Sequence, residues 1–248
     1  MHDLDDITRL PDDFDGCVRL FPLPDLVVFP HAMQPLHIFE PRYCEMLADA
    51  MATNQLIAMA TLTGGISAAT KEQSPIASTV CIGKVISHTE VENDRHNILL
   101  VGAKRAKIIR ELDAGRPFRI ARVEVAQDVY PPSGTKGRLD MKRELLQAFG
   151  DVIPSSSGVK QSLQELMAGQ MGLGPITDII AYTLPFEVKS KLSLLADPNV
   201  DLRASELIRL LRSGAVNLES VTMEPPISSD PSAENGSNGQ FPPPFSLN

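Results

Sequence analysis

The stretch FRIARVEVAQDVYPPSGTKGRLDMKRELLQAFG, residues 118–150, holds the change of periodicity that decides the fold. In its first part Ile120, Arg122 and Glu124 alternate with Ala121, Val123 and Val125, the period of two expected of a half-buried strand. The segment YPPSGTKG (130–137) concentrates proline and glycine and predicts a break. Beyond it, RLDMKRELLQAFG (138–150) has helical spacing and ends in Gly150, read as a C-cap. Strands precede the break and helices follow it, so the expected class is α+β.

Upstream of the break, LVVF (26–29, closed by Pro30), LIAMATL (56–62), TVCIGKVI (79–86) and NILLVGA (97–103) read as short strands. NDRHN (93–97) reads as a hairpin turn. Such a series favours a small barrel or sandwich. Downstream, VKQSLQELMAG (159–169) and ITDIIAYTL (176–184) read as helices. Pro185 is placed to open another helix running to Ala196, and Asp201 to cap a last one over 202–211. From Gly214 onward proline, serine, glycine and asparagine dominate, a composition expected to stay disordered. Its FPPPF run (241–245) has the make-up of a short polyproline ligand.

PLHIFEPRYCEML (35–47) gathers histidine, acid, arginine, tyrosine and cysteine in the manner of an active site, yet a strand-to-helix corner accounts for most of it. Tyr43, Met46, Leu47, Ala50 and Met51 form one apolar helical face. Pro41 suits the first turn, and Glu40 stands at the N-cap, where a carboxylate favours the helix dipole. Leu36 and Ile38 share one face of the preceding strand, leaving His37 and Phe39 on the other. Arg42 is left over, and a structural pairing with an acid is expected for it.

The net charge of −8 argues against general affinity for nucleic acid or anionic membrane. No apolar run is long enough for a membrane span, and the acidic start MHDLDDITRLPDDFDG lacks the features of a secretion signal, so a cytoplasmic protein is expected. Cys17, Cys44 and Cys81 form no C-x-x-C pair and read as reduced, mostly buried thiols. The sequence contains no P-loop, no G-x-S-x-G elbow, no H-E-x-x-H and no G-x-G-x-x-G. Ser157 and Lys160 fit S-x-x-K, but in a polar loop where serine caps and lysine is solvated. His31 and His37 flank a strand near Glu40, and a metal site would need three ligands at metal-like spacing, so strand-edge histidines and no metal are expected. Lys104, Arg105, Lys107, Arg110, Arg116, Arg119 and Arg122 form a basic stretch that two adjacent strands would turn into a positive face.

LFPLPDLVVFP (20–30), PLHIFEPRY (35–43), IGKV (82–85) and LLVGAKRAKI (99–108), in that order, resemble the N-terminal substrate-binding domain of Lon proteases. The helical stretch LPFEVKSKLSLLADPNVDLRASELIRLL (184–211) is similar to the helical half of that domain, so the resemblance covers about residues 17–212. IFEPRY looks most like stand-alone bacterial members made of this domain alone. The resemblance implies a PUA-like β-barrel followed by a helical bundle. The expected parts are an acidic N-terminal segment (1–14), the barrel (15–128), the bundle (129–214) and a disordered tail (215–248). In full-length Lon proteases the domain recognises protein substrates, helps assembly, and precedes an ATPase domain and a serine–lysine protease domain. This chain is expected to lack both and to be no enzyme.

The function the resemblance implies is non-catalytic binding of unfolded or exposed protein segments, as an adaptor or chaperone-like factor, with a separate protease as a further partner. Met33, Phe39 and the loop from Thr63 to Ser78 are the places to look, with Arg42 at the lip, although Met33 and Phe39 taken singly each read first as core. The alternative is an RNA-binding PUA-like protein using Lys104, Arg105, Lys107 and Arg119, a reading that rests on fold analogy. No cofactor is expected, and oligomeric state stays open.

Overall fold

The computed structural model describes residues 8–63, 74–132, 137–153 and 171–216. In chain order the elements are β1 (Cys17–Leu23), β2 (Met33–Ile38), α1 (Pro41–Met51), β3 (Leu56–Thr61), β4 (Thr79–Val91), β5 (Arg95–Leu112) and β6 (Ile120–Ala126). Four helices follow: α2 (Arg138–Val152), α3 (Leu173–Thr183), α4 (Val188–Ala196) and α5 (Val200–Arg212). Among the described residues the fold is mixed α+β, a six-stranded sheet and five helices. No helix of the described residues is long and apolar enough to cross a membrane.

The strand order is β2-β5-β4-β3-β1-β6, and β6 pairs again with β5. Among the described strands, β1 and β3 alone pair in parallel; the other ladders are antiparallel. Residues 105–112 of β5 pair with β6, while residues 96–101 pair with β2. This long strand therefore serves two partners on one edge, and its first half carries β2 and the start of the β4–β5 hairpin as a projecting arm. The hairpin closes through Asn93 and Asp94, both at positive φ, a backbone that asparagine and aspartate tolerate better than most residues.

Alternation places two apolar sets on opposite sides of the strands. Val18, Leu20, Leu56, Ala58, Ala60, Val80, Ile82, Ala106, Ala121 and Val123 form one cluster. The other joins Phe21, Ile57, Met59, Cys81, Val85, Ile98 and Leu100 to Met46, Leu47 and Ala50 of α1 and to Leu145, Ile176 and Leu207 of the helical layer. Burying each larger side chain contributes about 1.5–3 kcal/mol, which ties the two layers together. At Gly102 the backbone of β5 presses against the segment before β2. A side chain there would bring its Cβ to 2.0 Å from the Phe29 carbonyl oxygen.

Four buried or half-buried charges span the junction. Arg105 of β5 contacts Asp178 of α3 at 2.6 Å and Asp128 at 3.2 Å, while Arg203 of α5 contacts the same two acids at 3.1 and 3.0 Å. The charges alternate around a ring and cancel. Burial pushes the Asp178 carboxyl up to about 6, against the pull of Arg105 and then Arg203. Arg105 also donates to the Leu195 carbonyl, and Arg203 to that of Asp197.

The structure revises several local expectations. LVVF is no strand: Val27, Val28 and Phe29 are buried in the connection between β1 and β2, because a run of apolar residues fits any buried segment. Gly150 does not end α2, which continues to Val152. Pro185 does not open α4, which starts at Val188 after Glu187. Asn199, not Asp201, caps α5, its side chain accepting from the amides of Asp201 and Leu202. The helix expected at 159–169, the Ser157–Lys160 pair and the tail lie outside the described residues, as does most of the loop between Thr63 and Ser78.

Candidate functional site: the outer face of strand β2

β2 hydrogen-bonds to β5 alone among the described strands, and β5 to β4 beyond it. Side chains of a strand alternate between faces, and directly paired residues share a face. Leu36 and Ile38 turn with Ile98 toward the helical layer and are buried. The opposite face therefore carries Met33, Pro35 and His37, in rows Met33–Val101–Lys84, Pro35–Leu99–Ser87 and His37–Asn97–Thr89. Phe39 follows on the same side, its ring centre 5.9 Å from that of His37 and its plane at 30° to it.

Met33 is 57% exposed and Phe39 56%, so neither belongs to the core. This corrects the reading of each as a core residue: hydrophobicity alone does not reveal which face of an edge strand packs against the described helices. Met33 and Phe39 stand at the two ends of the strand, with Pro35 and Leu99 half-buried between them. His37 Nδ1 lies 2.7 Å from Asn97 Oδ1, which fixes the imidazole under the Phe39 ring.

The backbone edge of β2 is blunted. Pro35 has no N–H, its carbonyl accepts from Gln34 Nε2 at 2.8 Å, and the Met33 carbonyl accepts from the Tyr182 hydroxyl at 3.2 Å. The Tyr182 hydroxyl also lies 2.8 Å from Gln34 Oε1, and Lys191 of α4 donates to the Tyr182 carbonyl at 2.9 Å. Burial lowers the Lys191 ammonium to about 8. These groups discourage an added strand and leave the side chains as the accessible features of this side.

Arg42 sits at the corner after the face. Its Nε and Nη2 reach Glu40 Oε2 at 3.0 and 2.7 Å, and its guanidinium lies 4.6 Å from the centre of the Tyr43 ring. The expected pairing with an acid is present. Glu40 stands at the N-cap of α1 but makes no capping hydrogen bond, because its carboxylate holds Arg42 instead. Pro41 occupies the first turn and Tyr43, Met46, Leu47 and Ala50 are buried, as the corner reading requires.

The basic stretch assembles only in part: Arg110 and Arg122 are exposed cross-strand neighbours, but the other members do not join them in one open face. Arg105 is the correction: at 2% exposure it is buried in the charge ring, since its position in β5 faces the helices. Arg119 is held by Glu111 at 2.6 and 2.7 Å and by the Ser74 carbonyl, and Arg116 lies 3.5 Å from Glu45 and Asp49. Lys104 is half-buried; Lys107 is exposed and faces Glu124 across the ladder. His31 lies in the turn before β2 at positive φ, remote in role from His37. Among the described residues, no group of three or more His, Cys, Asp and Glu side chains is arranged to hold a metal ion. Cys81 is buried, while Cys17 and Cys44 are half-buried; burial raises all three thiols, which keeps them poor nucleophiles.

The family described as the ATP-dependent protease La (LON) substrate-binding domain matches residues 18–213. A Lon protease 1 of Syntrophobacter fumaroxidans is 25% identical over 211 residues, 84% of this chain and 25% of that protein. A Lon protease of Koribacter versatilis is 21% identical over 190 residues, 76% of this chain and 23% of that protein. The chain thus spans about a quarter of the length of the curated relatives it matches. Among solved structures, the N-terminal domain of Mycobacterium avium complex Lon protease is similar with a TM-score of 0.58 at 15% identity, covering 79% of this chain and 98% of that one. A Lon N-terminal domain protein from Xanthomonas campestris gives a TM-score of 0.54 at 18% identity, covering 78% and 97%. At these identities the structural likeness shows the fold.

Proposed function

The chain belongs to the LON substrate-binding domain family, and from that premise we propose that it is a non-catalytic module that binds unfolded or exposed segments of proteins on the outer face of β2. The family description names substrate binding, and the observation that carries the site is the shared exposure of Met33 and Phe39 on one face of a strand with a blunted backbone edge. A flexible methionine and an open phenyl ring suit varied apolar partners, because both adapt without a fixed set of hydrogen-bond donors. Arg42, already held by Glu40, lines the lip and meets acidic or carbonyl groups of the bound segment. The ring of ladder pairings through β5, β4, β3, β1 and β6 supports reading the sheet as a small PUA-like barrel from which this arm projects.

In this reading the module works as an adaptor or chaperone-like factor that presents exposed segments to a separate protease. Fluorescence anisotropy tests it, using a labelled, permanently unfolded client against its folded form. Saturable binding of the unfolded form alone is expected; equal or no binding of the two forms ends the proposal.

A further inference from the structure

The FPPPF run at 241–245 has no part in the binding reading as it stands. The segment that carries it, 217–248, holds Glu219, Glu224, Asp230 and Glu234 and no lysine or arginine. The outer face of β2 has the complementary character. Met33, Pro35 and Phe39 supply apolar surface, Lys84 stands in the row of Met33, and Arg95 stands at the far end of the arm. Among the described residues no Asp or Glu occupies a register position on that face.

Geometry and reach agree. Proline rings restrict φ, so a run of three would lose little entropy on docking in a polyproline conformation. At about 3.1 Å per residue, Phe241 to Phe245 docked in that conformation would span about 12 Å, and Pro35 to Phe39 spans about 13 Å at the rise of a strand. Polyproline segments dock on aromatic surfaces, and Phe39 stacked on His37 offers one. The connection from Val216 to Phe241 extends to about 80 Å, well beyond the radius of about 17 Å of a compact unit this size. A tethered ligand meets its site at an effective concentration near the millimolar range, so a weak motif suffices to occupy it.

We propose that FPPPF (241–245) seats in cis on the outer face of β2, over Pro35 and Phe39, as a tethered competitor of protein clients. The inference rests on the binding reading above and makes that site self-regulated: clients bind by displacing the run.

The test uses the full chain, labelled with 13C at the methionine methyls, with the Met33 signal identified through Met33→Leu. It is compared with the same chain carrying Phe241→Ser and Phe245→Ser, substitutions remote in sequence from every described element. The expected result is a shifted Met33 signal in the substituted chain, unaltered by dilution, together with unfolded-client affinity raised about ten-fold. An unmoved Met33 signal overturns the inference. A signal that differs only at high protein concentration also overturns it, since the run then seats on a second copy. A shifted signal with no client binding by either chain supports the docking and ends the binding reading instead, so the two fail separately.

Discussion

Arg105 Nη2 on strand β5 and Asp178 Oδ2 on helix α3 stand 2.6 Å apart, and both side chains are buried. The pair belongs to the ring completed by Asp128 and Arg203, so its members are costly to remove one at a time. Asp178→Ala leaves two buried guanidiniums facing each other and is expected to destabilise the protein by about 3–5 kcal/mol. Urea unfolding measures this. A loss below about 1 kcal/mol would mean that the ring does not hold sheet and helices together.

Gly102→Ala probes the contact that positions β2. Its Cβ would meet the Phe29 carbonyl oxygen, a backbone atom that a rotamer change cannot move aside. Overpacking of this kind costs about 1–3 kcal/mol or more, and the thermal midpoint of the alanine variant should fall accordingly. An unchanged midpoint would contradict the close approach.

Arg42→Ala separates structure from recognition. The Arg42–Glu40 pair has side chains 31% and 42% exposed, so its loss should cost less than about 1 kcal/mol. Binding of an unfolded client should weaken several-fold. If stability collapses instead, Arg42 acts within the corner and not on the partner.

Lys191 gives a pH signature. Its ammonium is held at about 8 by burial, whereas in an unfolded chain it titrates at the ordinary lysine value of 10.5. Between these values the unfolded chain holds a proton that the folded chain has lost, so stability rises with pH through that window. Compared with Lys191→Met, the wild-type chain should gain stability as pH climbs above 8. Parallel stability curves for the two would show that the amine is as well solvated as any surface lysine.

Much of this architecture is legible in the sequence because it follows from period and punctuation. The alternation from Ile120 to Val125, the turn at Asn93–Asp94 and the apolar face from Tyr43 to Ala50 each report a local rule that tertiary packing does not overrule. Helix ends were less legible: Asn199 and Asp201 are both acceptable caps, and the choice falls to Asn199 because Asp201 pairs with Arg138. The charge ring was hidden for a different reason. Nothing in AKRAKIIR distinguishes Arg105 from Lys104 or Lys107 until the helices that bury it are in place. Met33 and Phe39 show the converse, since their exposure depends on the described helices packing against the other face of β2, where Leu36 and Ile38 lie.

The most direct measurement is the affinity of an unfolded client for the wild-type chain and for the double variant Met33→Asp, Phe39→Asp. Both residues are exposed, so the variant should keep its stability within about 0.5 kcal/mol per site. At least a ten-fold loss of client affinity is expected, with folding intact. Wild-type affinity in the folded double variant would contradict binding on this face.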